Sequence, residues 1–160
     1  MRAKTLFCAM LLVAGLACGG DSTTGPGGNN NNLANLPLSA VINGVQWGSP
    51  VPSVSYNSNN SILAIAGVDL AITASISFGV RAQVPGVYSL AYQNPVGGSA
   101  IITMGGKGWG TAFQGGTGTL TITALTTHRV TGTFTFTAAP ASGGATGTVT
   151  VTNGKFDITY

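Results

Sequence analysis

His128 is the only histidine in this 160-residue chain, and beyond Asn35 its only carboxylates are Asp69 and Asp157. A hydrolase needs a nucleophile, a base and a group that orients the base. A glycosidase needs two carboxylates flanking the bond it breaks. His128 falls in a predicted turn beside Arg129, and Asp69 follows Gly67-Val68 at another predicted turn. Asp157 alternates with Phe156 and Ile158, which places it on the outer face of a strand. Nothing in the spacing brings the three together, so no catalytic residue is assigned and an enzyme is not expected. Metal ligands are not clustered in a zinc or calcium pattern. Gly105-Gly106-Lys107-Gly108 lacks the Ser/Thr and the following helix of a phosphate-binding loop. No metal and no cofactor is expected.

The aromatic side chains offer binding chemistry instead. Trp109 lies in the run Gly105-Gly106-Lys107-Gly108-Trp109-Gly110-Thr111-Ala112-Phe113, whose glycines leave a ring less covered. An exposed Trp on a β-sheet can stack on a sugar or anchor a protein partner. Tyr88 and Tyr92 are the candidates to join it in a carbohydrate-binding site. The competing reading packs Trp109 into the core, as is expected of Trp47.

Cys18 carries a different chemistry. Arg2 and Lys4 form a short basic start, an apolar run extends from Leu6 to Val13, and Ala14-Gly15-Leu16-Ala17 leads to the cysteine. This is the layout of a secretory signal, and its apolar run is shorter than the ~20 residues of a membrane span. It resembles a bacterial lipoprotein signal, which implies that residues 1–17 are removed and Cys18 is acylated as the mature N-terminus. An ordinary signal peptide cut near Ala17, with no lipid, is the alternative. Cys8 leaves with the signal in either case. Gly19 stands where an inner-membrane retention signal has Asp, so the resemblance points to the outer membrane.

Composition narrows the remaining classes. The formal charge of +3 includes Arg2 and Lys4. Without them Arg81, Lys107, Arg129 and Lys155 face Asp21, Asp69 and Asp157, a balance with no basic patch for nucleic acid. With Cys18 acylated no thiol remains, and stability has to come from a packed core, which a chain of this length can build.

Residues 18–36 read as a tether rich in Gly and Asn, with almost nothing to bury, and so as disordered. Such a segment reaches on the order of 20 Å. The single domain is expected over residues 37–160. It carries no helical pattern, and turn signals recur along a sequence rich in Gly, Thr, Val and Ile. Asn43-Gly44 suits the positive φ of a type I′ hairpin turn. Strands are expected over 51–56, 61–67, 70–80, 87–92, 100–104 and 107–113, with a turn at Asn94-Pro95. Thr-Gly-Thr-x-Thr-x-Thr then recurs from Thr117, Thr131 and Thr146. Alternation puts Leu120, Ile122, Val130, Phe134, Phe136, Val149, Val151, Phe156, Ile158 and Tyr160 inside and the threonines outside. Gly118, Gly132 and Gly147 have core parity, so each makes a bend or admits a large neighbour. Turns at 126–128 and 140–144 leave no room for a second strand per repeat, which favours a meander over a solenoid. A last hairpin is expected at Asn153-Gly154. Flat threonine arrays resemble ice-binding surfaces, but a twisted meander does not hold them in a flat lattice. The expected fold is all-β: an antiparallel β-sandwich or partly closed barrel of about ten strands with a C-terminal meander.

Val41-Ile42-Asn43-Gly44-Val45-Gln46-Trp47, Thr131-Gly132-Thr133-Phe134-Thr135-Phe136-Thr137-Ala138 and Val151-Thr152-Asn153-Gly154-Lys155-Phe156-Asp157 resemble a family of bacterial secreted lipoprotein β-domains of unknown function. The resemblance covers about Ala40 to Tyr160 and its motifs are structural, so no functional residue is carried over. Together these readings lead to one expectation: a surface lipoprotein, extracytoplasmic and lipid-anchored to the cell envelope. Its β-domain is expected to be non-catalytic, in a binding or envelope-structural role, with a glycan or an envelope protein as partner. The alternative is a carbohydrate-binding module.

Overall fold

The computed structural model describes residues 33–93 and 97–160. The expected signal peptide, Cys18, the tether up to residue 32 and the Asn94-Pro95 turn lie outside the described residues. After a single 3-10 turn (Leu33–Asn35) come eleven strands. They are β1 (Leu38–Ile42), β2 (Val45–Ser49), β3 (Ser53–Asn57), β4 (Ile62–Asp69), β5 (Ala74–Arg81), β6 (Gly86–Ser89), β7 (Ser99–Met104), β8 (Lys107–Gly110), β9 (Thr117–Leu125), β10 (Arg129–Ser142) and β11 (Val149–Thr159). Every ladder is antiparallel.

The strands follow the order β2-β1-β11-β10-β8-β7-β5-β4-β3, and β9 joins β10 to β6. The sheet curls into a half-barrel around an apolar core, the second of the two expected architectures. Strand β10 is its spine. Along one edge it pairs with β9 from Val130 to Thr137, then with β8 from Ala139 to Ser142. Its other edge pairs with β11.

Period-two alternation fills the core. Leu63 and Ile65 of β4, Ile76 and Phe78 of β5, and Phe134 and Phe136 of β10 all point inward and are buried. Phe134 is the hub of the aromatic cluster, with ring centroids 4.9 Å from Phe78, 6.2 Å from Phe136 and 6.4 Å from Phe156. Gly132 faces Phe156 across the β10–β11 ladder, and a side chain there would strike that ring and the Thr121 carbonyl. Gly118 likewise leaves room for Phe136, while Gly147 makes a bend with φ +64°. Outside, Thr119 stands opposite Thr135 and Thr121 opposite Thr133, and the hydroxyls of Thr123 and Thr131 are 2.8 Å apart.

The Asn43-Gly44 turn has φ values of 47° and 85°, as a type I′ turn requires. It is also clasped to β11: the Asn43 Oδ1 accepts the Thr150 N–H at 2.9 Å. Asn153-Gly154, by contrast, is not a hairpin. It is a bulge inside β11, with Asn153 at φ 51° and the register slipping between Phe134 and Phe136 of β10. The extra residue switches parity, which is how odd-numbered Val149 and Val151 and even-numbered Phe156 and Ile158 reach one face. The expected turn at 140–144 lies later, over 143–148, because β10 continues through Pro140 to Ser142. Beyond Ala138 β11 no longer pairs with β10, so a residue without an N–H is tolerated there.

The open side of the half-barrel is drawn together between β2 and β4. The Trp47 indole N–H reaches past β4 to donate to the Ala74 carbonyl at the start of β5, at 3.1 Å. The Gly48 N–H donates to Asp69 Oδ2 at 3.2 Å, and the Val68 N–H donates to Ser49 Oγ at 3.2 Å. Side chains thus join two strands that share no backbone ladder.

Candidate functional site

Of the three groups considered for catalysis, both carboxylates are engaged in structural bonds. Asp69 is buried at the end of β4. Besides the Gly48 N–H, its carboxylate accepts the Ala71 N–H at 2.9 Å, which closes the turn after the strand. Asp157 is exposed on the outer face and receives two hydrogen bonds from Arg129, at 2.8 and 2.7 Å. Those bonds hold its carboxyl below the usual carboxylate range and raise the guanidinium in turn. His128 lies in the β9–β10 turn, where its backbone N–H donates to Thr126 Oγ1. Among the described residues its ring is bonded to neither carboxylate, and no three His, Cys, Asp or Glu side chains could hold a metal ion.

Of the two readings of Trp109, the structure supports core packing and removes it from the candidate carbohydrate platform. Trp109 is only 7% exposed. Its position on β8, between Ile102 of β7 and Pro140 of β10, turns the ring into the core. The indole N–H donates to the Gly147 carbonyl at 3.1 Å. Glycine neighbours thin the cover only where the side chain points outward, and here it points inward. Tyr88 packs partly against the core and its hydroxyl donates to the Val84 carbonyl. Tyr92 is 43% exposed, just beyond β6.

Phe113 is an exposed aromatic that sequence reasoning missed, at 44%. The expected strand over 107–113 includes it, but β8 stops at Gly110. The buried Thr111 ends it by a reciprocal contact: its N–H donates to the Ala100 carbonyl and its Oγ1 accepts the Ala100 N–H, both at 2.9 Å. The loop that follows links the two exposed rings. The Tyr92 N–H donates to the Gly116 carbonyl at 3.1 Å, and the Gly116 N–H donates to the Phe113 carbonyl at 2.8 Å.

A second surface lies at the β2–β4 seam. A cleft of about 480 Å³ is lined by Gly48, Ser49, Pro50, Val51, Val68, Asp69, Leu70 and Ala71. Its rim is apolar: Val51 is 86% and Leu70 88% exposed. Both residues fall within expected strands, over 51–56 and 70–80. The strands instead begin at Ser53 and Ala74, and Thr73, at φ 51°, sits in the turn before β5. The signals that could have found this surface are Pro50 and Pro52 around Val51, since proline interrupts a ladder.

The chain belongs to the family described as Domain of unknown function (DUF6252), whose profile matches residues 35–158. No curated protein and no solved structure matches it.

Proposed function

We propose that this chain is a surface lipoprotein, acylated at Cys18, whose β-domain acts outside the cytoplasm by binding rather than by catalysis. The anchor is supported by the basic start, the short apolar run and the small residues that lead to Cys18. The binding role is supported by a single structural observation: both carboxylates of the domain are consumed by structural bonds. Asp69 secures the seam and Asp157 pairs with Arg129. An envelope protein or a glycan is the class of partner. The outer membrane is the proposed site, since Gly19 follows the cysteine.

The test is fatty-acid incorporation by the full chain in a bacterial host, with and without Cys18→Ser. The wild-type chain is expected to take up label and pellet with membranes, and the variant to do neither. A wild-type chain of unacylated mass would overturn the anchor.

The glycan-binding reading moves from Trp109 to Tyr92 and Phe113. The observation favouring it is that both rings are exposed and their loops are tied through Gly116.

A further inference from the structure

We infer that the cleft at the β2–β4 seam is the face this domain lays on a lipid surface, an inference that rests on the anchoring proposed above. Three observations meet at the cleft. First, the chain enters the domain beside it. Leu33 and Leu36 lie over Gly48, a lining residue, closely enough that any side chain at Gly48 would strike them. Leu33 is the first described residue, and the 15 residues back to Cys18 would, as a coil, span roughly 20 Å.

Second, the rim presents aliphatic side chains to solvent in a fixed arrangement. Val51 and Leu70 are the two most exposed large hydrophobic residues described, and Val68 adds to the same patch. Pro50 and Pro52 bracket Val51 and restrict its backbone. Asp69 and Ser49 bind the two chain segments together below the rim. A loop that must order itself on contact gains less from burial than one already held in shape.

Third, the cleft carries one side chain of charged type, Asp69, held below its rim. From Leu33 to Val80 the only ionisable side chain of the Asp, Glu, Lys or Arg type is Asp69, and its carboxylate is buried against backbone N–H groups. Aliphatic side chains without charged neighbours suit the boundary between headgroups and acyl chains.

The test uses the full mature chain reconstituted into phosphatidylethanolamine–phosphatidylglycerol vesicles. A polarity-sensitive fluorophore is attached through Leu70→Cys or, as a reference in the β9–β10 turn, Thr127→Cys. Both positions are solvent-exposed. Mass spectrometry of the same samples reports acylation. The expected result is blue-shifted emission at position 70, quenched by nitroxides in the acyl region, with water-like emission at 127. An acylated chain with water-like emission at both positions overturns the inference and leaves the anchor standing. An unacylated mass overturns both. A shift at 70 that vanishes in excess lipid assigns the patch to a second copy of the chain and overturns the lipid-facing role.

Discussion

The Asp69 carboxylate of β4 accepts the Gly48 backbone N–H of β2 across 3.2 Å, where the two strands have no ladder in common. With the Ala71 N–H also bonded to it, one buried side chain fixes a seam and a turn together.

Asp69→Ala is therefore expected to leave two backbone donors without their partner. The loss of stability should be about 1–3 kcal/mol. Asp69→Asn keeps an acceptor oxygen and should cost less. Urea unfolding of the three proteins checks the order.

Phe134 touches three other rings in the core. Phe134→Ala should destabilise by about 3–5 kcal/mol, the range for aromatic truncation in a core that cannot fully collapse. Phe134→Leu should fall well short of that in the same thermal or urea measurement.

Gly132→Ala forces a methyl group into Phe156 and the Thr121 carbonyl. Overpacking of this kind costs about 1–3 kcal/mol. Gly79→Ala is the contrasting case, since a Cβ there meets only the Leu63 carbonyl, at 3.7 Å. It should be neutral or slightly stabilising, because alanine narrows the unfolded ensemble.

Two ionisable groups are shifted in opposite directions and make stability depend modestly on pH. Asp157 has a folded pKa below the ordinary 3.8 because of its bonds to Arg129. Its contribution is present above that ordinary value and disappears as pH falls through the lower folded one. The pair is exposed, so the effect should be small and weaken with salt. Asp157→Asn should differ from the parent near neutrality and converge with it in acid. Tyr160 is shifted the other way: burial, with Tyr56 nearby, raises its pKa above 10.0. Its contribution is intact below that value and is lost as pH rises through the raised one. Tyr160→Phe should flatten the alkaline limb of a stability–pH curve, although it also removes the hydroxyl's bond to the Thr126 carbonyl.

If glycans are the ligand class, Tyr92→Ala and Phe113→Ala should each abolish retention on an envelope-glycan array while leaving the fold intact by circular dichroism. Trp109→Phe should leave retention unchanged and lower the melting temperature, because the indole's work is internal. Retention that survives both loop substitutions but is lost with Trp109→Phe would sink this assignment.

Alternation made the inner and outer faces of β9 and β10 readable from the sequence, because each threonine separates two core residues. Asn43-Gly44 was readable because few other residue pairs accept two consecutive positive φ values. What the sequence hid was tertiary. Asn153-Gly154 has the same turn chemistry as Asn43-Gly44, but β1 and β10 hold both sides of it, so the chain bulges instead of reversing. Leu70 and Val51 look like core residues until the seam sets where β4 and β2 end. Phe113 is exposed because β8 stops at Gly110, where Thr111 closes onto Ala100, so the ring lies beyond the strand that the sequence suggested.

The pairing of β1 with β11 also dictates when this chain can fold. Leu38 lies opposite Phe156, so the first strand finds one of its two neighbours only at the far end of the polypeptide. A β1–β2 hairpin alone is marginal in water, and contacts so distant in sequence form slowly. A chain halted before Val149 has neither β11 nor the second edge of its spine. Completion of the half-barrel therefore waits for the last segment of the chain, whichever local hairpins form before it.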